Sequence, residues 1–300
     1  MKREYQDRKK QMTEQATPNN HEQYHIRLVP EERGFHLKLG ELWAYRDLVG
    51  LLTKKTFAVT YQQTVLGPLW ILINPLLSSL IYLLVFGQIA RVGTAGVPQS
   101  LFYFVSSSVW ELCSFSVNSN ASTFVSNANL FSKVYFPRAA VPMSNMFVSI
   151  LKFCVQLMII GVLIAVFLAR GAIHPLWHLY PLLPLLFLQM SMLGMCVGIL
   201  LSSMTTKYRD LLHVVSVGVT LWMYATPVVY PIQTIQNGIL QLVIKLNPAS
   251  QLMELIRLIM LGEGQFEWRF YLFGTVLTIA LFVVSLGMFN KVERTFADTV

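Results

Sequence analysis

The chain has 300 residues, of which 54% are hydrophobic and only 13% are charged. Soluble globular domains carry about 25% charged residues, and the mean hydropathy of this chain is +0.53. The composition therefore excludes a disordered chain or a collagen-like fibre and indicates a membrane protein. The net charge of +8 does not indicate a nucleic-acid partner, because residues 1–65 carry 8 acidic residues beside 11 Lys and Arg.

Two segments precede the first long apolar stretch. Residues 1–40 are polar and predict a mostly disordered cytoplasmic tail. In residues 41–62 the apolar side chains recur at steps of three, four and seven residues, which predicts an amphipathic helix on the membrane surface. Such a helix is either a surface anchor or a docking element for a partner. Its apolar face consists of Leu42, Tyr45, Val49, Leu52 and Val59.

Six stretches between residues 63 and 292 are long enough to span a membrane, which takes about 20 mostly apolar residues. They cover residues 67–90, 101–122, 143–169, 180–202, 211–229 and 270–290. The second is rich in Ser and Asn and contains Glu111, so we expect it to face protein or water rather than lipid. The fifth ends near Pro227 and Pro231, which interrupt helical hydrogen bonding. The chain is thus predicted to be an all-α integral membrane protein with six transmembrane helices.

The distribution of basic residues predicts the orientation of these spans. Of the 23 Lys and Arg, 17 lie in segments on the same side as the N terminus, and 5 lie on the opposite side. Because cytoplasmic segments carry the excess of basic residues, both termini are predicted to be cytoplasmic, including the C-terminal tail 293–300.

The outer segment, residues 232–264, lies between the fifth and sixth stretches. It contains two apolar runs that are too short to span, separated by Asn247 and Pro248. This pattern predicts two short helices that dip into the outer leaflet. A single additional span is the weaker alternative, because Lys245, Glu254 and Arg257 would then lie at membrane depth.

The motifs argue against an enzyme. His21 and His25 complete an H-E-x-x-H zinc pattern, but it lies in the polar tail and no span offers an Asp as a further ligand. A membrane zinc protease is a remote alternative, and we expect no metal site. The sequence has no G-x-x-x-x-G-K-[ST] loop, so ATP hydrolysis of that kind would need another chain. Cys113, Cys154 and Cys196 are expected to be buried free thiols.

Two tryptophans lie near the middle of predicted spans rather than at the membrane interfaces, where Trp and Tyr are most common. Trp110 and Trp222 either pack the core or line a path along which sugar rings slide on aromatic faces. The Ser- and Asn-rich second stretch would add hydrogen-bonding groups to such a path. The candidates for the channel wall are Trp110, Glu111, Asn118, Trp222 and Tyr224.

Several segments resemble, in order and spacing, those of one known family of membrane proteins. They are ELWAYRDL (41–48), YQQTVLGPLW (61–70), NLFSKVYFPR (129–138), YRDL (208–211), TPVVYP (226–231) and NP (247–248). Together they resemble the membrane subunits of type-2 ABC exporters of polysaccharides, most closely the O-antigen permeases and their capsule and teichoic-acid relatives. The resemblance covers residues 40–292, and the N-terminal tail is longer than the family pattern.

The resemblance implies a homodimer of six-span subunits that forms a channel through the bacterial inner membrane. Its substrate would be a lipid-linked polysaccharide of the O-antigen type. A separate cytoplasmic ATPase would bind ATP and Mg²⁺, so this chain would hold no cofactor. A permease for teichoic acid, capsule, or a drug or small lipid is the alternative.

The resemblance also assigns roles to individual residues. The loop 123–142 would contact the ATPase through Asn129, Lys133, Tyr135, Phe136 and Arg138. The cytoplasmic gate and interface would include Trp43, Tyr45, Arg46 and Tyr61. The outer gate would include Tyr230, Pro231, Asn247 and Pro248.

Overall fold

The computed structural model describes residues 45–62, 64–131, 136–206, 208 and 210–299, and within these ranges it is helical and has no β-strand. The polar tail and its H-E-x-x-H pattern lie outside the described residues. The helices are α1 Arg46–Tyr61, α2 Trp70–Tyr82, α3 Gln99–Ala121, α4 Thr123–Ser126, α5 Ala128–Phe131, α6 Ala140–Ala169, α7 Leu183–Thr205, α8 Leu211–Tyr224, α9 Gly238–Leu246, α10 Pro248–Leu261 and α11 Trp268–Thr299.

Helix α1 packs against α6 with a narrower apolar face than the sequence pattern indicates. Its buried residues are Val49, Leu52 and Thr53, and the Thr53 hydroxyl donates to the Val49 carbonyl oxygen at 2.7 Å. Tyr45 is 41% exposed and Val59 is 62% exposed. Helix α1 therefore uses its first two turns to contact the core, and the predicted residues 41–44 lie outside the described chain.

Among the described residues, four helical stretches are long and apolar enough to cross a membrane. They are Gly67–Ile89, Ala140–Ala169, Trp177–Thr205 and Trp268–Phe289. The first joins a 3₁₀ turn, α2 and a π-helical segment Leu83–Ile89. The third joins the 3₁₀ turn Trp177–Leu182 to α7. These positions confirm four of the six predicted stretches as candidate spans.

The other two predicted stretches differ from a simple span. Helix α3 has 23 residues but is rich in Ser and Asn, and 16 of its residues are buried by the helices around it. Helix α8 has 14 residues, which make it about 21 Å long, shorter than the roughly 30 Å hydrocarbon core. It ends at Tyr224 rather than at residue 229, because Pro227 cannot continue the helical hydrogen bonding.

Close contact between α3 and α7 depends on two glycines. A Cβ atom added at Gly194 would lie 2.5 Å from the Cys113 carbonyl oxygen, and one added at Gly198 would lie 2.6 Å from the Val117 carbonyl oxygen. The Ser116 hydroxyl donates to the Ser191 carbonyl oxygen at 2.9 Å across the same contact. Two small residues four apart thus let the helix backbones meet directly.

The outer segment contains two separate short helices, α9 and α10. The Asn247 side chain caps α10, and Gly262 ends it with a positive φ of 85°. Helix α10 is almost entirely buried, whereas Ile244 is the only buried residue of α9. The charged residues of this segment, which in the sequence disfavour an additional span, form ion pairs. Lys245 pairs with Glu267, and Arg257 pairs with Glu254.

The cysteines agree only partly with the sequence expectation. Cys113 and Cys196 are buried, whereas Cys154 is exposed. Apolar surroundings in the sequence do not distinguish a side chain in the core from one on the outer face of a membrane helix. Cys154 lies on such an outer face of α6, next to the buried Phe153.

We expect Gly198→Ala to destabilise the protein by about 1–3 kcal/mol, because the added methyl group would push α7 away from α3. The matched control is Gly161→Ala in α6, where a Cβ would meet nothing within 4 Å. The control should leave stability unchanged or slightly increased. Thermal unfolding of the two purified variants in detergent measures the difference, and equal midpoints would contradict the close-contact interpretation.

Candidate functional site

A cavity of about 560 Å³ lies where the C-terminal end of α8 meets α9. Four residues that the sequence analysis assigned to the channel wall or the outer gate line this one cavity. They are Trp222, Tyr224, Tyr230 and Asn247. The remaining wall is mostly aliphatic and comes from Ala225, Thr234, Ile235, Leu240, Val243 and Ile244. The cavity therefore combines aromatic faces with a few hydrogen-bonding groups.

The cavity's aromatic wall exists because α8 ends at Tyr224 and the chain turns back. The Tyr230 hydroxyl donates to the Tyr224 carbonyl oxygen at 2.9 Å, and the Thr226 hydroxyl donates to the Trp222 carbonyl oxygen at 2.9 Å. These bonds satisfy carbonyl groups left free at the helix end. The turn 225–231 consequently places Tyr230 beside the last turn of α8.

Asn247 connects this turn to the α9–α10 junction. Its Nδ2 group donates to the Ala225 carbonyl oxygen at 3.1 Å and to the Thr226 hydroxyl at 2.9 Å. Its Oδ1 atom accepts from the Trp222 indole nitrogen at 3.2 Å and from the Ala249 backbone nitrogen at 3.2 Å. All four hydrogen-bonding positions of the amide are thus used. Asn247 therefore fixes the Trp222 indole relative to α10.

The two tryptophans predicted for the channel wall meet each other. The ring centroids of Trp110 and Trp222 are 5.5 Å apart, and the rings are arranged edge to face at 87°. Trp110 is only 6% exposed, so it packs in the core in this structure. Trp222 is partly buried and faces the cavity.

Glu111, also predicted for the channel wall, is the centre of a polar network away from the cavity. The Lys152 ammonium donates to Glu111 Oε1 at 3.1 Å, and Gln156 Nε2 donates to Glu111 Oε2 at 3.1 Å. Gln156 Nε2 also donates to the Ile71 carbonyl oxygen at 3.1 Å. The Lys152 ammonium lies 4.0 Å from the centroid of the Phe115 ring. This inner network ties α3 and α6 to the first turn of α2.

The negative charge of Glu111 in this network acts on Tyr61 at the end of α1. Burial raises the pKa of Tyr61 to about 12, and the negative charge of Glu111 adds to the effect. The Tyr61 hydroxyl is therefore neutral at physiological pH. Tyr61 was predicted for the cytoplasmic gate, and its position brings the end of α1 towards Glu111.

Asn118 connects α3 to α8. Its Nδ2 group donates to the Ser114 carbonyl oxygen at 2.9 Å, and its Oδ1 atom accepts from the Ser216 hydroxyl at 3.3 Å. Neither Glu111 nor Asn118 lines the aromatic cavity. The residues predicted for the channel wall therefore separate into an aromatic part at the α8–α9 junction and a polar part around Glu111.

Sequence analysis missed Lys152 and Gln156 as partners of Glu111. A charged residue in an apolar span usually pairs inside the protein, so Lys152 itself was the available signal. The partner could not be chosen from the sequence, because the two residues are 41 positions apart. In the part of the chain that the structure describes, no group of three His, Cys, Asp or Glu residues could hold a metal ion.

Residues 47–261 match the model of the ABC-2 type transporter family. The chain belongs to this family. Three relatives carry the name O-antigen export system permease protein RfbA, and each is 30% identical to the chain. Two come from Klebsiella pneumoniae, with each alignment covering 84% of this chain and 94% of the relative. The third comes from Myxococcus xanthus, with 87% and 98% covered.

The family match includes both parts of the candidate site of this ABC-2 transporter. It begins in α1 and ends at the last residue of α10. The inner network and all residues that line the aromatic cavity lie within it.

Loop 123–142 of this ABC-2 transporter, predicted to contact an ATPase, is described in part. Lys133 and Tyr135 lie outside the described residues, as does Trp43 of the predicted cytoplasmic gate, and Asn129 is described only as backbone in α5. Phe136 is 8% exposed, and its ring centroid lies 5.9 Å from that of Phe131. Phe136 thus packs inside its own chain, although its predicted role needs an exposed anchor.

An apolar cluster explains this burial. Phe136 belongs to a core that also contains Val49, Phe124, Phe131 and Phe289. The guanidinium of Arg138 lies 5.5 Å from the Phe131 ring centroid. Phe289 and Val49 are distant in sequence from Phe124, Phe131 and Phe136, so this convergence could not be predicted from the sequence. Arg46, predicted for the cytoplasmic interface, is largely exposed beside Asp47.

We expect Asn247→Asp to lower the stability by about 1–3 kcal/mol, because the Ala225 carbonyl oxygen loses its donor and faces a carboxylate. The matched control is Asn237→Asp. Asn237 caps α9 only through its oxygen, which accepts from the backbone nitrogens of Ile239 and Leu240, and Asp keeps that capacity. Thermal unfolding should separate the two variants. A control that is as unstable as Asn247→Asp would refute the assigned role of Asn247.

We expect Lys152→Met to destabilise the protein by about 3 kcal/mol, at the low end for a broken buried pair. The low end applies because the Glu111 side chain keeps 23% exposure. The double variant Glu111→Gln/Lys152→Met should recover most of this loss, since it leaves no unpaired charge. Membrane abundance and unfolding midpoint of both variants test the pairing, and additive losses in the double variant would disprove it.

Proposed function

We propose that this ABC-2 transporter chain is the permease of an exporter that moves a lipid-linked, O-antigen-type polysaccharide across the bacterial inner membrane. A separate ATPase would bind ATP and Mg²⁺ and would couple to the loop 123–142. The observation that carries the proposal is the aromatic cavity, which brings together Trp222 and Tyr224 of the predicted channel wall with Tyr230 and Asn247 of the predicted outer gate. The names of the three relatives agree with it.

The chemistry of the cavity suits a sugar ring. Its volume of about 560 Å³ lies within the range of about 300–1,000 Å³ for ligand pockets. Trp222, Tyr224 and Tyr230 offer aromatic faces, which contact the C–H faces of sugars without one fixed geometry. The two tyrosine hydroxyls and Thr234 offer hydrogen bonds. Such contacts are individually weak and numerous. A moving polymer requires this, because a single tight binding site would stop it.

The proposed topology has six spans and two cytoplasmic termini. In it, α3 and α8 complete the four candidate spans, and α9 and α10 dip into the outer leaflet. This is supported by the central position of α3, because a polar helix surrounded by other helices is shielded from lipid. The short α8 would be extended by the turn 225–231 towards the periplasm.

A homodimer is the proposed assembly. The free face of α8 is mixed in character, since Val214, Val217 and Leu221 are each about 60% exposed beside the exposed hydroxyls of Ser216 and Thr220. Facing lipid, the Thr220 hydroxyl would have no partner beyond its own helix, where it donates to the Ser216 carbonyl oxygen. A second copy placed against this face would enclose the polar residues in a shared path.

The deletion strain of the bacterial host tests the function. Without this chain, the surface polysaccharide should disappear and the lipid-linked glycan should accumulate in the cytoplasmic leaflet, whereas the intact chain should restore export. Unchanged surface polysaccharide in the deletion strain would exclude the proposed function.

In this strain, we expect Trp222→Ala to restore slower or shorter glycan export at near-normal membrane abundance. Trp110→Ala is the comparison, because it truncates a core side chain at a cost of about 3–5 kcal/mol and should deplete the protein itself. Surface glycan and membrane abundance are measured together. If the Trp222→Ala variant loses both in parallel, Trp222 serves packing and not the glycan path.

A further inference from the structure

A fully buried ion pair lies on one face of α10, next to the cavity. Glu254 and Arg257 are three residues apart, and each side chain is only 1% exposed. Arg257 Nη2 donates to Glu254 Oε1. In the sequence, the charges of Glu254 and Arg257 only disfavour an additional membrane span, and the proposed function gives them no role.

Each member of the pair also contacts a different part of the chain. Arg257 Nη1 donates to the Pro227 carbonyl oxygen at 2.8 Å, and its guanidinium lies 4.5 Å from the centroid of the Phe102 ring in α3. Glu254 Oε2 accepts from the backbone nitrogen of Gln265 at 3.0 Å. The pair therefore joins the turn 225–231, helix α3 and the loop after α10.

Stability alone is a poor explanation for such a pair. Removing two charges from water is expensive, and apolar residues of similar volume often serve equally well or better. What apolar residues cannot supply is a directed bond to the Pro227 carbonyl group. That carbonyl group lies in the middle of the turn that carries Tyr224 at one end and Tyr230 at the other.

Tyr230 follows three residues after Pro227, whose carbonyl oxygen accepts from Arg257. Burial raises the pKa of the Tyr230 hydroxyl, and the positive charge of Arg257 partly opposes this effect. Tyr230 also donates its hydrogen bond within the turn, to the Tyr224 carbonyl oxygen. Arg257 thus touches the turn at Pro227 and influences it electrostatically at Tyr230.

We propose that Glu254 and Arg257 are positioning residues for the aromatic cavity. Glu254 orients the guanidinium, and Arg257 holds the turn 225–231 so that Tyr224 and Tyr230 face the passing polymer. The part of this inference that concerns the polymer rests on the proposed function. The part that concerns the turn is independent of it.

Arginine suits this role better than lysine. Its planar fork presents separate nitrogens to Glu254 and to Pro227, whereas lysine has a single nitrogen that cannot occupy both positions. Arg257→Lys therefore keeps the charge and loses one of the two contacts. Loss of one such hydrogen bond should raise the population of the displaced turn about fivefold.

A cysteine at Val229 reports the position of the turn, because Val229 is only 1% exposed and becomes accessible when the turn is displaced. It is placed in a full-length chain that carries Cys154→Ser, since Cys154 is the exposed native thiol. We expect Arg257→Lys to raise the rate at which a maleimide labels this cysteine about fivefold. The control is Ile256→Val, a change at a fully buried neighbour in the same helix, which should leave the rate unchanged.

A second variant protects the test against a folding failure. Glu254→Met/Arg257→Met removes both charges together, a change that buried pairs tolerate better than single neutralisation. The inference expects this double variant to fold and to show the same altered labelling rate. A rate equal to that of the Ile256→Val control, in either variant, would overturn the positioning role.

Glycan export is measured in the same variants in the deletion strain. Shorter or slower export at normal abundance, together with altered labelling, supports the inference. Altered labelling with fully normal export would overturn it, because the position of the turn would then not matter to the polymer. Failure of the unmodified chain to restore any surface polysaccharide would instead refute the proposed function, whatever the labelling shows.

Discussion

Polar groups inside a membrane protein must find partners within the protein, because the hydrocarbon offers none. Helix α3 brings a carboxylate and many Ser and Asn side chains into this setting. Its neighbours supply partners for two of these residues, Lys152 and Gln156 on α6 for Glu111, and a serine on α8 for Asn118. The arrangement of the surrounding helices is therefore tied to what α3 needs.

Two other features depend on this central helix. Helix α7 approaches α3 at two glycines, so that backbone atoms of the two helices come into direct contact. Helix α2 begins where Gln156 bonds to the Ile71 carbonyl oxygen, so its first turn is fixed by the same residue that serves Glu111. The polar network and the close helix packing thus both depend on the position of α3. A change in this position would disturb contacts with at least three other helices.

The sequence predicted the positions of the helices better than it predicted which side of each helix is buried. Hydropathy located the stretches, and the charges in segment 232–264 indicated two short helices instead of one span, as α9 and α10 show. Trp110 and Trp222 looked equivalent in the sequence, yet one is buried and the other faces a cavity. Phe136 and Cys154 show the same difficulty. Which side a residue presents depends on neighbours that are distant in sequence, and periodicity within one helix does not identify them.

The brevity of α8 has a consequence for the lipid around it. Its length of about 21 Å is roughly 9 Å less than the thickness of a typical hydrocarbon core. Lipid tails that meet a short hydrophobic element compress, at a cost of fractions of a kcal/mol per Å of mismatch. Any bilayer that borders α8 would then be locally thin. A polar group that moves along this helix would have a shorter hydrocarbon layer to cross than elsewhere in the same membrane.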